Sequence, residues 1–182
     1  MENKSLDCSL NWDSPPREVV ASEHEVHVWR VALNESRVPE MRSTLSPDEC
    51  ARADRFHFER DRNHFIIARG SLRIILSGYL KKNPTELSFS YSNYGKPALF
   101  GEPASSELSF NLSHAHELAL IAVTRNLAIG VDIEFIRSEF AAEEIAERFF
   151  SRPEVRELRG LPANMQSEAF FTALALEFGK LI

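Results

Sequence analysis

Cysteine is nearly absent. Cys8 and Cys50 are the two in 182 residues, too few and too widely spaced for a disulfide framework or a zinc knuckle. Neither a glycine-rich phosphate loop nor a nucleophile elbow occurs, so the chemistry those loops support is not signalled here. Positive charge is in deficit: 21 Lys and Arg against 27 Asp and Glu leave a net charge of −6. That balance gives no general attraction to nucleic acid or to an anionic membrane. The longest strongly apolar run, Leu118 to Val123, is far too short to span a bilayer. The first residues lack the basic and apolar segments of a secretory signal. Repeats and low-complexity tracts are missing too. These features predict a cytoplasmic protein, with no nucleic-acid or membrane partner. The 43% hydrophobic content suffices for a sizeable core in one domain or two small lobes.

Residues 1–22 are polar, include Pro15-Pro16, and read as an extended N-terminal arm. Glu25–Leu33 alternates as a strand does, with His27, Trp29, Val31 and Leu33 on one side. Ser46-Pro47-Asp48-Glu49 is a capping box with proline at the first helical position, and the helix it opens is expected to carry Arg52, Arg55 and, near its end, Arg60. Between Asp61 and Leu80, Phe65, Ala68, Leu72, Ile75, Leu76 and Tyr79 recur every three or four positions, which predicts a helix with one buried stripe. Further strands are predicted at Leu87–Tyr91, Leu108–Ser113, Leu118–Thr124 and Ile129–Glu134, with Lys96 at the tip of the turn Asn93–Pro97. Helices are predicted over Ala141–Phe150, from a second capping box at Ser151–Glu154 as far as Gly160, and over Gln166–Phe178. Strands and helices fall in two unequal lots without regular alternation, so the fold class is α+β.

Two features carry chemistry. In Gly130-Val131-Asp132-Ile133-Glu134 the carboxylates stand two residues apart, so a strand turns both to one face while Val131 and Ile133 take the other. Such a pair suits a hard divalent cation such as Mg²⁺, though an isolated pair is also what an exposed acidic strand face looks like. Arg62, Arg69 and Arg73 on the Asp61–Leu80 helix are dense enough to bind phosphate. More often, arginines so placed form a solvated face paired with local acids such as Asp54, Glu59 and Asp61. Ser113 and His114 are adjacent, so a strand points them opposite ways. They are not a nucleophile and its base, but each can donate a hydrogen bond to phosphate.

Read in order, Gly95-Lys96-Pro97, Phe110-Asn111-Leu112-Ser113-His114, Gly130-Val131-Asp132-Ile133-Glu134 and Arg148-Phe149-Phe150-Ser151 with Glu154 resemble the Sfp-type 4′-phosphopantetheinyl transferases. The match runs from about Leu45 to Glu154. The resemblance implies two α+β lobes related by a pseudo-twofold axis, here residues 23–128 and 129–182, with coenzyme A and Mg²⁺ between them. It implies transfer of the phosphopantetheine arm of coenzyme A to a serine of an acyl, peptidyl or aryl carrier protein, releasing adenosine 3′,5′-bisphosphate. By position, Arg52, Arg55, Arg73, Lys96, Ser113 and His114 match coenzyme-binding residues, and Asp132 and Glu134 match the metal-binding pair. A basic position of the family is Glu49 here, and a family arginine falls at His64, which makes that contact weaker or pH-dependent.

The pattern departs from the family at its end. A W-x-x-K-E-x-x-x-x-K helix is expected where this chain reads Phe170 to Lys180, without the tryptophan or the first lysine. Glu177 matches the third acidic ligand, and a catalytic group alongside Asp132, only if one residue is dropped before Lys180. The chain stops at Ile182, so the resemblance leaves the second lobe incomplete. Two other readings stand beside a transferase. One is a non-catalytic module that binds coenzyme A or a carrier protein, and the other is an unrelated Mg²⁺-dependent phosphohydrolase built on the acid pair.

Overall fold

In the computed structural model, residues 12–16, 18–92, 95–101, 107–135, 150–166 and 168–170 are described. Alternating β-branched and aromatic residues form β1, Val26–Ala32. A 3-10 turn at Glu35–Arg37 leads into the short helix α1, Val38–Arg42. The capping box opens α2, Pro47–Ala53, where the Ser46 amide donates to Glu49 Oε2 at 3.0 Å. α2 ends well before the expected Arg60. Phe56 leaves the helical path to pack on Phe65, and extended Phe58 caps α3, Glu59–Leu80. The helix α3 stops where Lys81 turns left-handed, at φ 53°.

Beyond α3 come β2, Ser88–Tyr91, and β3, Pro97–Phe100, an antiparallel pair. β3 was not expected from sequence, where Pro97 reads as the end of a turn. Proline is tolerated there because it begins a short strand of a two-stranded sheet. β4, Leu108–Ala115, and β5, Leu118–Arg125, follow, joined through left-handed His116. The larger sheet is antiparallel in the order β1-β5-β4.

Periodicity explains the packing. Ile66, Ile67, Leu72, Leu76 and Tyr79 of α3 share one core with Val31, Phe110, Ile121 and Val123 from one face of the sheet. Tyr79 ties the layers together, accepting from Trp29 Nε1 at 3.0 Å and lying 2.7 Å from His27 Nδ1. α1 presses against α3 at Gly70, where a Cβ would lie 2.7 Å from Met41. The segment read as an arm is partly docked: Ala21 is buried, and its carbonyl accepts from Arg125 Nε at 3.1 Å.

The predicted strand Ile129–Glu134 joins no backbone ladder among the described residues. Its amides take side-chain acceptors from β4 instead. A second cluster gathers Val155 and Leu158 of α4, Arg152–Gly160, with Phe170. The second capping box is present, with the Ser151 amide 2.8 Å from Glu154 Oε2. Residues 163–166 and 168–170 are helical. Most of the predicted helix 141–150, and Glu177 with the remainder of the last helix, lie outside the described residues. Among the described residues no helix is long and apolar enough to cross a membrane. The mixed helix and antiparallel-sheet architecture is α+β.

Candidate active site

Cationic and donor side chains from separate elements, Arg52, Lys96 and His114 among them, meet at one cleft of about 400 Å³. Arg52 comes from the last turn of α2, Lys96 from the tip of the β2–β3 hairpin, and His114 from β4. Phe65, Tyr91 and Phe110 supply apolar wall. The Arg52 guanidinium stands 5.2 Å from the centroid of Phe65 and 6.0 Å from that of Tyr91, so aromatic faces hold it without neutralising it. The hairpin tip is braced locally: Ser92 N donates to Lys96 O at 2.9 Å, Lys96 N donates to Ser92 Oγ at 3.1 Å, and Gly95 has φ +77°. That positive φ is one that glycine adopts at little cost.

A buried cluster supports the cleft floor. Glu49 lies in the core at 2% exposure and receives Arg69 Nε at 2.5 Å and Arg73 Nε at 2.6 Å. Burial pushes the Glu49 carboxyl up, but Arg73, the Ser46 amide and Arg69 outweigh it and hold the group below the usual carboxylate range. Arg69 also donates to Tyr91 Oη at 2.7 Å, joining the cluster to the cleft wall.

This geometry sorts the arginines. The resemblance counts Arg73 among the coenzyme-binding residues, but its side chain is 1% exposed and donates to Glu49 and to the carbonyls of Pro84 and Leu87. It is a core residue. Arg55 is exposed and does not line the cleft, because the chain leaves α2 before it. Arg62 pairs with Glu59 at 3.0 Å as the solvated reading expects, while Asp54 is taken at 2.9 Å by Arg42, which that reading did not include. His64, where the resemblance places an arginine, is buried with Nε2 3.7 Å from Glu117.

Ser113 and the acid pair form a second group beside the cleft. Alternation along β4 sends Phe110, Leu112 and His114 to the cleft and turns Ser113 away from it. Ser113 Oγ donates to Asp132 Oδ1 at 2.7 Å and accepts from Ile133 N at 3.4 Å. Asp132 and Glu134 are exposed while Val131 and Ile133 are partly buried, so the expected alternation survives without a ladder. Lys96 spans both groups, its Nζ lying 3.1 Å from Ile129 O.

The resemblance carried over no role for Arg69, Tyr91 or Asn111, all of which the structure places in this region. Asn111 sat inside a motif already noted, two residues before Ser113, a spacing that places both side chains on one strand face. Arg69 stands one helical turn before Arg73, a spacing that lets one acid meet both.

The chain matches the family described as 4′-phosphopantetheinyl transferase, N-terminal, over residues 29–126. It is 43% identical over 162 residues to the 4′-phosphopantetheinyl transferase HetI of Nostoc sp. (strain PCC 7120 / SAG 25.82 / UTEX 2576), covering 88% of this chain and 68% of HetI. It is 30% identical over 144 residues to the putative 4′-phosphopantetheinyl transferase slr0495 of Synechocystis sp., covering 79% of this chain and 58% of that one. Against the 4′-phosphopantetheinyl transferase Sfp of Bacillus subtilis, identity is 28% over 129 residues, covering 71% of this chain and 55% of Sfp. The chain belongs to the 4′-phosphopantetheinyl transferase family, and it spans a little over half the length of the last two relatives.

Proposed function

We propose that this chain transfers the 4′-phosphopantetheine arm of coenzyme A to a serine hydroxyl of an acyl, peptidyl or aryl carrier protein. The observation that carries the reading is the convergence of Arg52, Lys96 and His114 on one cleft, next to an acid segment that Lys96 and Ser113 hold against β4. Coenzyme A presents several anionic phosphate groups, and charge-assisted donors from three separate elements would fix them in one orientation. The aromatic wall of Phe65, Tyr91 and Phe110 is suited to an adenine ring or the pantetheine chain.

In the reaction proposed, the carrier serine oxygen attacks the phosphorus that bears pantetheine. The bond from that phosphorus to the bridging diphosphate oxygen breaks, and adenosine 3′,5′-bisphosphate leaves. The serine proton passes to a carboxylate, for which exposed Asp132 is the nearest candidate beside Ser113. Lys96 and His114 hold the diphosphate in line and oppose the charge that develops on its oxygens.

The acid pair fits Mg²⁺. Two exposed carboxylates on one side of an extended segment are the donor set that this ion takes alongside substrate phosphates and water. Among the described residues no group of three or more His, Cys, Asp and Glu could hold a metal. Asp132 and Glu134 would hold the ion, with Glu177 the sequence-derived third ligand. When bound, Mg²⁺ would neutralise diphosphate charge.

The test is transfer of a fluorescent pantetheine arm from a coenzyme A analogue to an apo carrier protein. The expected result is label on the carrier serine, dependent on Mg²⁺. An unlabelled carrier, with coenzyme A still bound, would favour the non-catalytic binding module instead.

A further inference from the structure

We propose that Asn111 is a positioning residue, whose side chain sets the register of the Ile129–Phe135 segment along β4 and thereby aims Asp132 and Glu134. This rests on reading those two acids as the metal-binding pair. An extended segment beside a sheet ordinarily satisfies its amides through a backbone ladder. Here none forms. Val131 N donates to Asn111 Oδ1 at 2.8 Å, and Ile133 N lies 3.4 Å from Ser113 Oγ.

The two pairs step in concert. Asn111 to Ser113 and Val131 to Ile133 each advance by two residues, so the segment runs in the same direction as β4, with one side chain of the strand for each amide. A slip of one residue would present the Asp132 amide where Val131 now bonds and turn both carboxylates to the other side. The shorter and therefore firmer of these bonds belongs to Asn111. Ser113 adds an O–H donated to Asp132 itself, which fixes the carboxylate once the register is set. Outer contacts brace the ends. Lys96 Nζ donates to Ile129 O, and the Phe135 ring lies 3.8 Å from that of His116 at the β4–β5 turn. The bond that Asn111 accepts comes from backbone and not from either carboxylate, so its effect on the acids passes through register.

The experiment compares the whole chain with N111A and N111D by amide hydrogen exchange, and wild type with N111A by calorimetric titration with Mn²⁺. In the wild type the Val131 amide is expected to be protected. In N111A it should exchange at least about tenfold faster while the amides of β5 keep their protection, and Mn²⁺ affinity should fall roughly tenfold. N111D keeps an acceptor oxygen in the same place and should keep Val131 protected. If N111A loses protection throughout β5 as well, N111V, which suits a strand and carries no acceptor, takes its place. Unchanged Val131 exchange overturns the inference, and so does unchanged Mn²⁺ affinity with protection lost. A wild type that binds no Mn²⁺ overturns the metal reading, and exchange at Val131 then decides the register role by itself.

Discussion

Glu49 Oε2 lies 2.6 Å from Arg73 Nε at a point where neither side chain exceeds 2% exposure. Its other oxygen takes Arg69, so one carboxylate balances two buried guanidiniums and closes the capping box of α2 as well. Removing that charge leaves two cations in the core without a counter-ion. Glu49→Gln is therefore expected to lose about 3–5 kcal/mol of stability, as breaking a buried pair does. Urea unfolding measures it. A loss under 1 kcal/mol would mean that water reaches the arginines.

Acid should act through the same group. The folded Glu49 carboxyl titrates below its ordinary value near 4.5, because the arginines and the Ser46 amide overcome burial. A depressed carboxyl contributes stability that is fully present above the unfolded value and is lost as pH falls through the folded one. Thermal midpoints should thus hold level in this contribution from neutral pH to about 4.5, then drop. Glu49→Gln should flatten part of that drop. Parallel acid profiles for the two proteins would assign the loss to other carboxylates.

Gly70 is a packing requirement. A methyl group there would meet the Met41 side chain and carbonyl at 2.7 Å and its Cα at 2.9 Å, and backbone cannot step aside. Gly70→Ala should destabilise by roughly 1–3 kcal/mol despite alanine's better helix propensity. An increase in thermal midpoint would show that α1 shifts freely against α3.

Coenzyme A binding should depend on the cleft's donors in order of their geometry. Lys96→Ala and Arg52→Ala should each weaken binding by about tenfold, near 1.4 kcal/mol, and Arg55→Ala by less. Calorimetry that ranks Arg55 above Arg52 would move the phosphate site off the cleft.

Asp132→Ala should leave the fold intact, because the side chain is exposed, and cut transfer to a carrier protein by about 100-fold or more. Circular dichroism checks the first part and the fluorescent transfer assay the second. Undiminished turnover in Mg²⁺ would remove Asp132 from the reaction.

Local chemistry was legible in the residues alone. Both capping boxes, the stripe of α3, the alternation of β1 and the apolar run of β5 follow from interactions within a few residues, which the sequence records directly. So does the outward aim of Asp132 and Glu134. Tertiary structure decided what those elements meet. The overrun of α2 toward Arg60 is corrected by Phe56 packing on Phe65, and β3 exists because Ser88–Tyr91 pairs with it. No local pattern distinguishes Arg52, open to the cleft, from Arg73, committed to Glu49. The acid that claims Arg73 lies 24 residues away, and desolvation is settled only when α2 and α3 pack. The acid segment makes the same point. Its alternation says strand, but whether its amides find a neighbouring backbone or the side chains of Asn111 and Ser113 depends on where β4 runs, and hydrogen-bond satisfaction takes the partner that packing provides.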